Sequence, residues 1–281
     1  MQGLSNVCLF FLLISLSLVA QSQDTILYKQ VDTTTLYMLA DYPPDFDTTK
    51  DYPAIVFFFG GGWNGGSIGH FEPHARYLAK RGMICFRADY RVKSRQGTTP
   101  FESLKDAKSA MRFVREHAEE LNVDPEKIVA SGGSAGGHLA AATALITRYN
   151  EGSDRLFVSC VPNALVLFNP VMDNGPGGYG YERIGEAYRS FSPLHNIMEG
   201  APPTIFLLGT RDRLIPVESA QYYKLVMEKV GSRCDLLLYE GQGHGFFNYG
   251  NLEYFKLTLS AANDFLISLG YIETEPEIEI K

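Results

Sequence analysis

Charge is missing from the start of this chain, and cysteine is scarce throughout it. No Asp, Glu, Lys or Arg precedes Asp24, and residues 7–20 are apolar apart from Ser15 and Ser17. That run is too short to cross a bilayer as a helix, so no stable membrane insertion is expected. Ala20-Gln21-Ser22 offers small residues for cleavage before Gln23, and residues 1–22 therefore read as an export signal, despite the lack of Lys or Arg in residues 1–7. The expected destination is the periplasm or the extracellular space. Cys8 lies inside the apolar run, which places it badly for a lipid anchor. Only four cysteines occur in all. The three beyond Cys8, namely Cys85, Cys160 and Cys234, cannot all pair within one chain, and they read as buried reduced thiols rather than a disulfide framework. Positive charge is outweighed, with a net charge of −7, so a polyanion such as nucleic acid is a poor partner. Metal-ligand spacing is absent: His70 and His74 stand four apart with Pro73 between them and no third ligand evident. No metal and no organic cofactor is expected. There is no second hydrophobic span, no internal repeat and no second domain.

What remains is a chain of 281 residues, 45% apolar and 20% charged, long enough for a full-sized core. Residues 26–37 read as an early strand pair. Residues 54–59 are a continuous apolar run, as a strand buried on both faces requires. A short helix over 73–81 stops at Gly82, and 83–88 is the next buried strand. Thr99-Pro100-Phe101-Glu102 predicts a helix start with a capping box, and Leu104, Ala107, Met111 and Val114 then recur on one face. Strands are expected at 164–168, 204–209 and 235–239. Helices are expected at 216–230 and again near the end, where Phe255, Leu259, Ala262 and Leu266 share a face. This alternation predicts an α/β domain over 23–272, with a mostly parallel central sheet and helices on both faces. Residues 169–200 read as a long Gly- and Tyr-rich loop, and residues 273–281 as an acidic tail.

The most informative segment is Gly132-Gly133-Ser134-Ala135-Gly136-Gly137. It follows the apolar run Lys127-Ile128-Val129-Ala130 and precedes an alanine-rich helical stretch. Strand, sharp turn and helix make a nucleophile elbow, in which small neighbours let the chains pass and the serine hydroxyl stands above the sheet edge. A serine hydroxyl needs a base within hydrogen-bond reach, and that base needs an orienting acid. Of six histidines, only His244 is flanked by glycines just after the final strand. Asp212 follows the strand at 204–209, at the same carboxyl edge as Ser134, and Asp173 is its competitor. The order Ser134, Asp212, His244 is the one this arrangement requires. His138 is expected to pack or cap, and His117 and His195 to lie on the surface.

Phe59-Gly60-Gly61-Gly62-Trp63 follows the first buried strand. Glycines here let backbone N–H groups approach a substrate oxygen, and Gly61 and Gly62, with Ala135, are the expected oxyanion donors. A phosphate cradle is the rival, but no G-K-[ST] follows. Trp63, Tyr179 and Tyr181 are candidate platforms for stacking on a sugar ring.

Together with Asp89-Tyr90-Arg91, Asp106-Ala107-Lys108, Ser192-Pro193 and His244-Gly245-Phe246, these motifs resemble the α/β-hydrolase superfamily. The likeness is to its esterase/lipase branch, and within that to the single-domain carbohydrate and feruloyl-type esterases. The resemblance covers roughly residues 26–270. It implies an exported serine carboxylesterase acting on acyl esters of small molecules or polysaccharides, with acetyl the expected acyl group. A peptidase or amidase, a lipase-like esterase and a non-catalytic binding protein on the same scaffold are the alternatives. The resemblance also implies structural roles for Asp89, Arg91, Asp106 and Lys108. Two residues depart from the pattern. Phe59 stands where a histidine often braces the oxyanion loop, so that bracing bond is expected to be missing. Gly133 stands where lipase-like relatives often carry Asp.

Overall fold

A computed structural model describes residues 23–274. The expected export signal and most of the acidic tail lie outside the described residues. Among these residues eight strands form one sheet in the order β1-β2-β4-β3-β5-β6-β7-β8. β1 (Gln23–Val31) and β2 (Thr34–Asp41) form an antiparallel hairpin, and β2 also runs antiparallel to β4 (Ile84–Ala88). The rest is parallel: β4, β3 (Tyr52–Phe58), β5 (Val123–Gly133), β6 (Ala164–Phe168), β7 (Thr204–Gly209) and β8 (Cys234–Tyr239). Mostly parallel pairing needs crossovers, and the helices supply them. These are α1 (Glu72–Lys80), α2 (Lys93–Gln96), α3 (Pro100–Glu116), α4 (Ala135–Leu145), α5 (Tyr181–Ile184), α6 (Tyr188–Phe191), α7 (Val217–Lys229) and α8 (Leu252–Ser268).

The apolar run of β3 explains the layering. Ala54, Val56 and Phe58 face one core, which α3, α4 and α7 cover. Ile55 and Phe57 face the other, which α1 and α8 cover. Both faces are thus buried, and alternation of polar and apolar residues is absent from β3 for that reason. The expected start of α3 is present: the Thr99 N–H donates to Glu102 Oε2 at 2.9 Å. Residues 169–200, expected to be loop, instead hold α5, α6 and two 3₁₀ turns. Aromatic packing of Trp63, Phe101 and Tyr149 against Phe191 anchors this segment to the body.

A bulge in β1 sits between Leu27 and Lys29. It turns the consecutive residues Tyr28 and Lys29 both inward. Lys29 Nζ then donates to Asp106 Oδ1 at 2.6 Å, and Arg91 donates to the same carboxylate through its backbone N–H, Nε and Nη2 at 2.8–2.9 Å. Buried Lys108 donates to the carbonyls of Ile146 and Arg148, where its charge meets the C-terminal end of α4. Asp89 pairs with Arg95 at 2.6 Å. These groups tie strand ends and loops together, as the resemblance implies. Cys85, Cys160 and Cys234 are free and buried. Burial pushes the Cys85 thiol well up, and that of Cys234 up to about 12.

Candidate active site

The carboxyl ends of the parallel strands converge on one edge, the usual place for a ligand in such a sheet. β5 delivers Ser134, β6 Asn169, β7 Asp212, β8 His244, and β3 the glycine run at 60–62.

Ser134 joins β5 to α4 with φ 56° and ψ −121°, a conformation most residues avoid. It is pinned there: its N–H donates to Phe168 O at 3.0 Å, and its carbonyl accepts from the amides of His138 and Val171 at 3.0 and 3.1 Å. The helix then crosses β3 closely. A Cβ on Gly136 would lie 2.0 Å from Phe58 O, so only glycine passes.

His244 Nε2 lies 2.9 Å from Ser134 Oγ, and its Nδ1 lies 2.8 Å from Asp212 Oδ2. The second oxygen of Asp212 accepts the amides of Leu214 and Ile215 at 2.8 and 3.0 Å. Backbone donors therefore fix the carboxylate, the carboxylate orients the imidazole, and the imidazole faces the hydroxyl. Asp173, the competitor, does not join this group. Its Oδ1 accepts the Gly175 amide at 2.8 Å and lies 3.9 Å from His195.

The amides of Gly61 and Gly62 make no hydrogen bond among the described residues, and the first-turn amide of Ala135 stands at the positive end of α4. The carbonyls of the two glycines are held away. That of Gly61 accepts from the amides of Asn64 and Gly65, at 3.0 and 3.2 Å, and that of Gly62 from Arg183. Gly61 has φ 134°, and a Cβ there would lie 2.3 Å from Gly65 O. A cavity of about 270 Å³ lies over these groups, lined also by Tyr179, Leu214, Phe247 and Asn248.

The aromatic platforms need correction. Trp63 is 1% exposed. Its φ of 58° turns it beneath residues 179–191, edge-on to His138 at 5.1 Å and under Arg183 at 5.2 Å. It packs and cannot stack on a ligand. Tyr179 lines the cavity, but its ring is taken up by Trp63 and Arg183, and its hydroxyl end reaches Gly62. Tyr181 lies outside the cavity and donates its hydroxyl to Glu186 at 2.7 Å.

The remaining histidines divide. His138 is buried, donates Nε2–H to Phe191 O at 3.0 Å, and is pushed down to about 3 by burial. His117 is half-buried rather than on the open surface, because its ring stacks on Phe113 with centroids 4.2 Å apart. His74 is enclosed by Phe71, Phe168 and Phe255, with no partner for either ring nitrogen among the described residues. His70 is at the site: Gly60 N–H donates to its Nδ1 at 3.0 Å. The bracing bond expected to be missing is thus present, supplied from α1's side of the loop. Asn169 is the other residue that sequence reading passed over. Its Oδ1 accepts the Gly245 amide at 3.1 Å, and its Nδ2 lies 3.5 Å from His244 Nε2. Its only sequence signal was its place at a strand's carboxyl end.

Among the described residues no group of three or more His, Cys, Asp or Glu could hold a metal ion, and no helix is long and apolar enough to cross a membrane.

Residues 41–166 match the BD-FAE family. The probable carboxylic ester hydrolase LipM of Mycobacterium tuberculosis is 31% identical over 201 residues, covering 63% of this chain and 45% of that protein. The acetylxylan esterase of Xylanibacter ruminicola is 30% identical over 210 residues, covering 69% and 41%. The chain thus spans less than half the length of these two curated relatives. Among solved structures, Thermogutta terrifontis esterase 2 matches nearly end to end. In both its paraoxon-phosphorylated and its propionate-bound forms it is 42% identical, with a TM-score of 0.85 over 90% of this chain and 96% of that one.

Proposed function

Because the chain belongs to the α/β-hydrolase superfamily, and within it to the esterases, we propose that it is a serine carboxylesterase of short acyl esters, with acetylated carbohydrates as its substrates. The observation that carries this reading is the bonded series Asp212–His244–Ser134, at 2.8 and 2.9 Å, beneath a cavity edged by two free glycine amides.

Ser134 Oγ attacks the ester carbonyl carbon and gives its proton to His244 Nε2. Asp212 holds Nδ1–H, which keeps Nε2 free to accept, and stabilises the imidazolium. The carbonyl oxygen takes up the electron pair and receives hydrogen bonds from Gly61, Gly62 and Ala135; one such donor is worth about 3 kcal/mol. The pair returns, the C–O bond to the alcohol breaks, and Nε2 protonates that oxygen as it leaves. Water, giving a proton to Nε2, then attacks the acyl-serine, and the acid leaves while Ser134 recovers its proton.

The cavity size favours short acyl groups. At about 270 Å³ it lies just under the range of ordinary drug-sized sites. The acetylxylan esterase of X. ruminicola among the relatives favours an acetylated carbohydrate. The test is acetate release from acetylated xylan beside turnover of p-nitrophenyl acetate, with Ser134→Ala as control. Release from both, lost in the mutant, is expected. Turnover of the small ester alone would remove xylan acetate as substrate. We also read residues 1–22 as a cleaved export signal. A mature N-terminus at Gln23 in protein recovered outside the cytoplasm is the expected result, and an intact Met1 would overturn it.

A further inference from the structure

The glycine loop and the histidine loop arise from opposite ends of the chain, yet one directional series of hydrogen bonds joins them. Gly60 N–H donates to His70 Nδ1 at 3.0 Å. A nitrogen that accepts from an amide carries no proton, so the imidazole hydrogen sits on Nε2. Nε2 faces Asn248 Oδ1 at 2.6 Å and donates to it. Asn248 Nδ2 donates in turn to Gly245 O at 2.8 Å, and Gly245 N–H donates to Asn169 Oδ1 at 3.1 Å. Asn169 then lies against His244 Nε2, at 3.5 Å. Each group in the series has the role its chemistry allows, and reversing the Asn248 amide would set two donors against each other.

We infer that His70 is a positioning residue for ester hydrolysis, which with Asn248 fixes the glycine loop relative to His244 in one rigid geometry. The inference rests on the esterase reading above and deepens it. Its physical basis is the alignment that oxyanion stabilisation demands. Donors must stand about 3 Å from where the charged oxygen will be, while the base must stand at Ser134. Gly60 is the hinge between β3 and the two candidate donors. With its N–H engaged by His70, Gly60 is not itself an oxyanion donor, and the amides left without a hydrogen bond among the described residues are those of Gly61 and Gly62, which line the cavity. Space is tight as well: a Cβ on Gly60 would lie 3.3 Å from the His70 ring and 3.1 Å from Gly133 O. Burial lowers the His70 pKa against a smaller upward pull from Asn248, so the neutral ring is the form present at neutral pH.

The test compares wild type with His70→Phe, His70→Asn and Asn248→Leu on p-nitrophenyl acetate, alongside NMR of the protein labelled with ¹⁵N-histidine. His70→Phe keeps an aromatic ring but neither bond. It should lose about 100-fold in kcat, the lower end of what a displaced oxyanion donor costs, with KM within about threefold. Asparagine can place Oδ1 near the Nδ1 position, so His70→Asn should recover at least about tenfold of that loss. Asn248→Leu should fall between, and combined with His70→Phe it should add little, since the two act as one unit. In wild type the His70 resonances should show Nε2–H with an accepting Nδ1. A His70→Phe enzyme within about threefold of wild-type kcat would overturn the inference. So would a His70→Asn enzyme no better than His70→Phe, or a proton found on Nδ1. The NMR reads the brace without turnover. Wild-type hydrolysis that Ser134→Ala abolishes tests the esterase reading separately.

Discussion

Asp212 and His244 share a 2.8 Å hydrogen bond but not an environment: the side chain of the acid is fully buried, whereas that of the base is 25% exposed. The carboxylate is thereby shielded and its other oxygen is occupied by two backbone amides, while the imidazole keeps access to solvent and substrate. Asp212→Asn should be nearly isosteric and yet inactive. The amide oxygen would turn toward the Leu214 and Ile215 N–H groups, leaving NH₂ facing His244. Nδ1 would have to accept, Nε2 would carry the proton, and Ser134 would have no base. A fall of about 10³–10⁴ in kcat is expected, with little change in melting temperature. Steady-state kinetics with p-nitrophenyl acetate checks it; a mutant within tenfold of wild type would remove Asp212 from the mechanism.

Gly136→Ala should be far more damaging than its size suggests. The added methyl would sit 2.0 Å from Phe58 O and 2.4 Å from Phe59 O, both backbone atoms that cannot turn aside. Either α4 or the end of β3 must move, at a cost of about 3 kcal/mol. The site moves with it. Gly82→Ala is the control, since its Cβ meets nothing within 4 Å, and only the positive φ costs about 1–2 kcal/mol. Urea melts of the two variants should separate clearly, and equal midpoints would contradict the close crossing.

His74 should make the protein sensitive to acid. Burial pushes its pKa from 6.5 down to about 3, and His138 is pushed down equally. Below pH 6.5 the unfolded chain binds protons that the folded chain refuses. Stability from these groups is therefore whole above about pH 6.5 and declines as pH falls toward 3. By pH 4.5 each histidine accounts for roughly 2–3 kcal/mol of loss, at 1.36 kcal/mol per pKa unit. His74→Leu keeps a similar volume and removes a buried ring with no hydrogen-bond partner. It should be near neutral at pH 7 and about 2 kcal/mol more stable than wild type at pH 4.5. Urea unfolding at both values decides; a constant difference between the two proteins would refute the assignment.

Asp106 predicts the opposite pattern, loss of stability without loss of chemistry. Its carboxylate is wholly buried and receives bonds from Lys29 and Arg91. Asp106→Ala leaves two buried cations to share the carboxylate of Glu151, with Ser109 Oγ still accepting from Lys29, and about 3–5 kcal/mol of stability should go. The rate constant per folded molecule, from active-site titration, should stay within about twofold of wild type.

That Ser134, Asp212 and His244 come within hydrogen-bond reach of one another was legible in the sequence because each follows a buried strand, and strand ends of a parallel sheet converge on one edge. The layers were legible because a run such as Ala54-Ile55-Val56-Phe57-Phe58 has no face to spare for water. Trp63 was not legible: a tryptophan after three glycines at a strand's end reads as a platform for a sugar ring, and only its backbone angle turns it inward. His70 escaped because its partners are Gly60 and the distant Asn248, and no periodicity links positions 178 residues apart. The segment at 169–200 was misread for a related reason. Its short helices are too brief to leave a pattern, and Arg183 and Phe191 hold it by contacts with remote parts of the chain.

The buried, unpaired thiols set the redox terms on which the folded domain persists. A thiol whose pKa stands near 12, as for Cys234, supplies almost no thiolate at neutral pH, and thiolate is the species that exchanges or oxidises. Among the described residues the covalent structure is complete once the peptide bonds are made. The folded protein should therefore keep the same activity whether it is held in dithiothreitol or in oxidised glutathione. The redox poise of the surroundings would then be a matter of indifference to the finished protein.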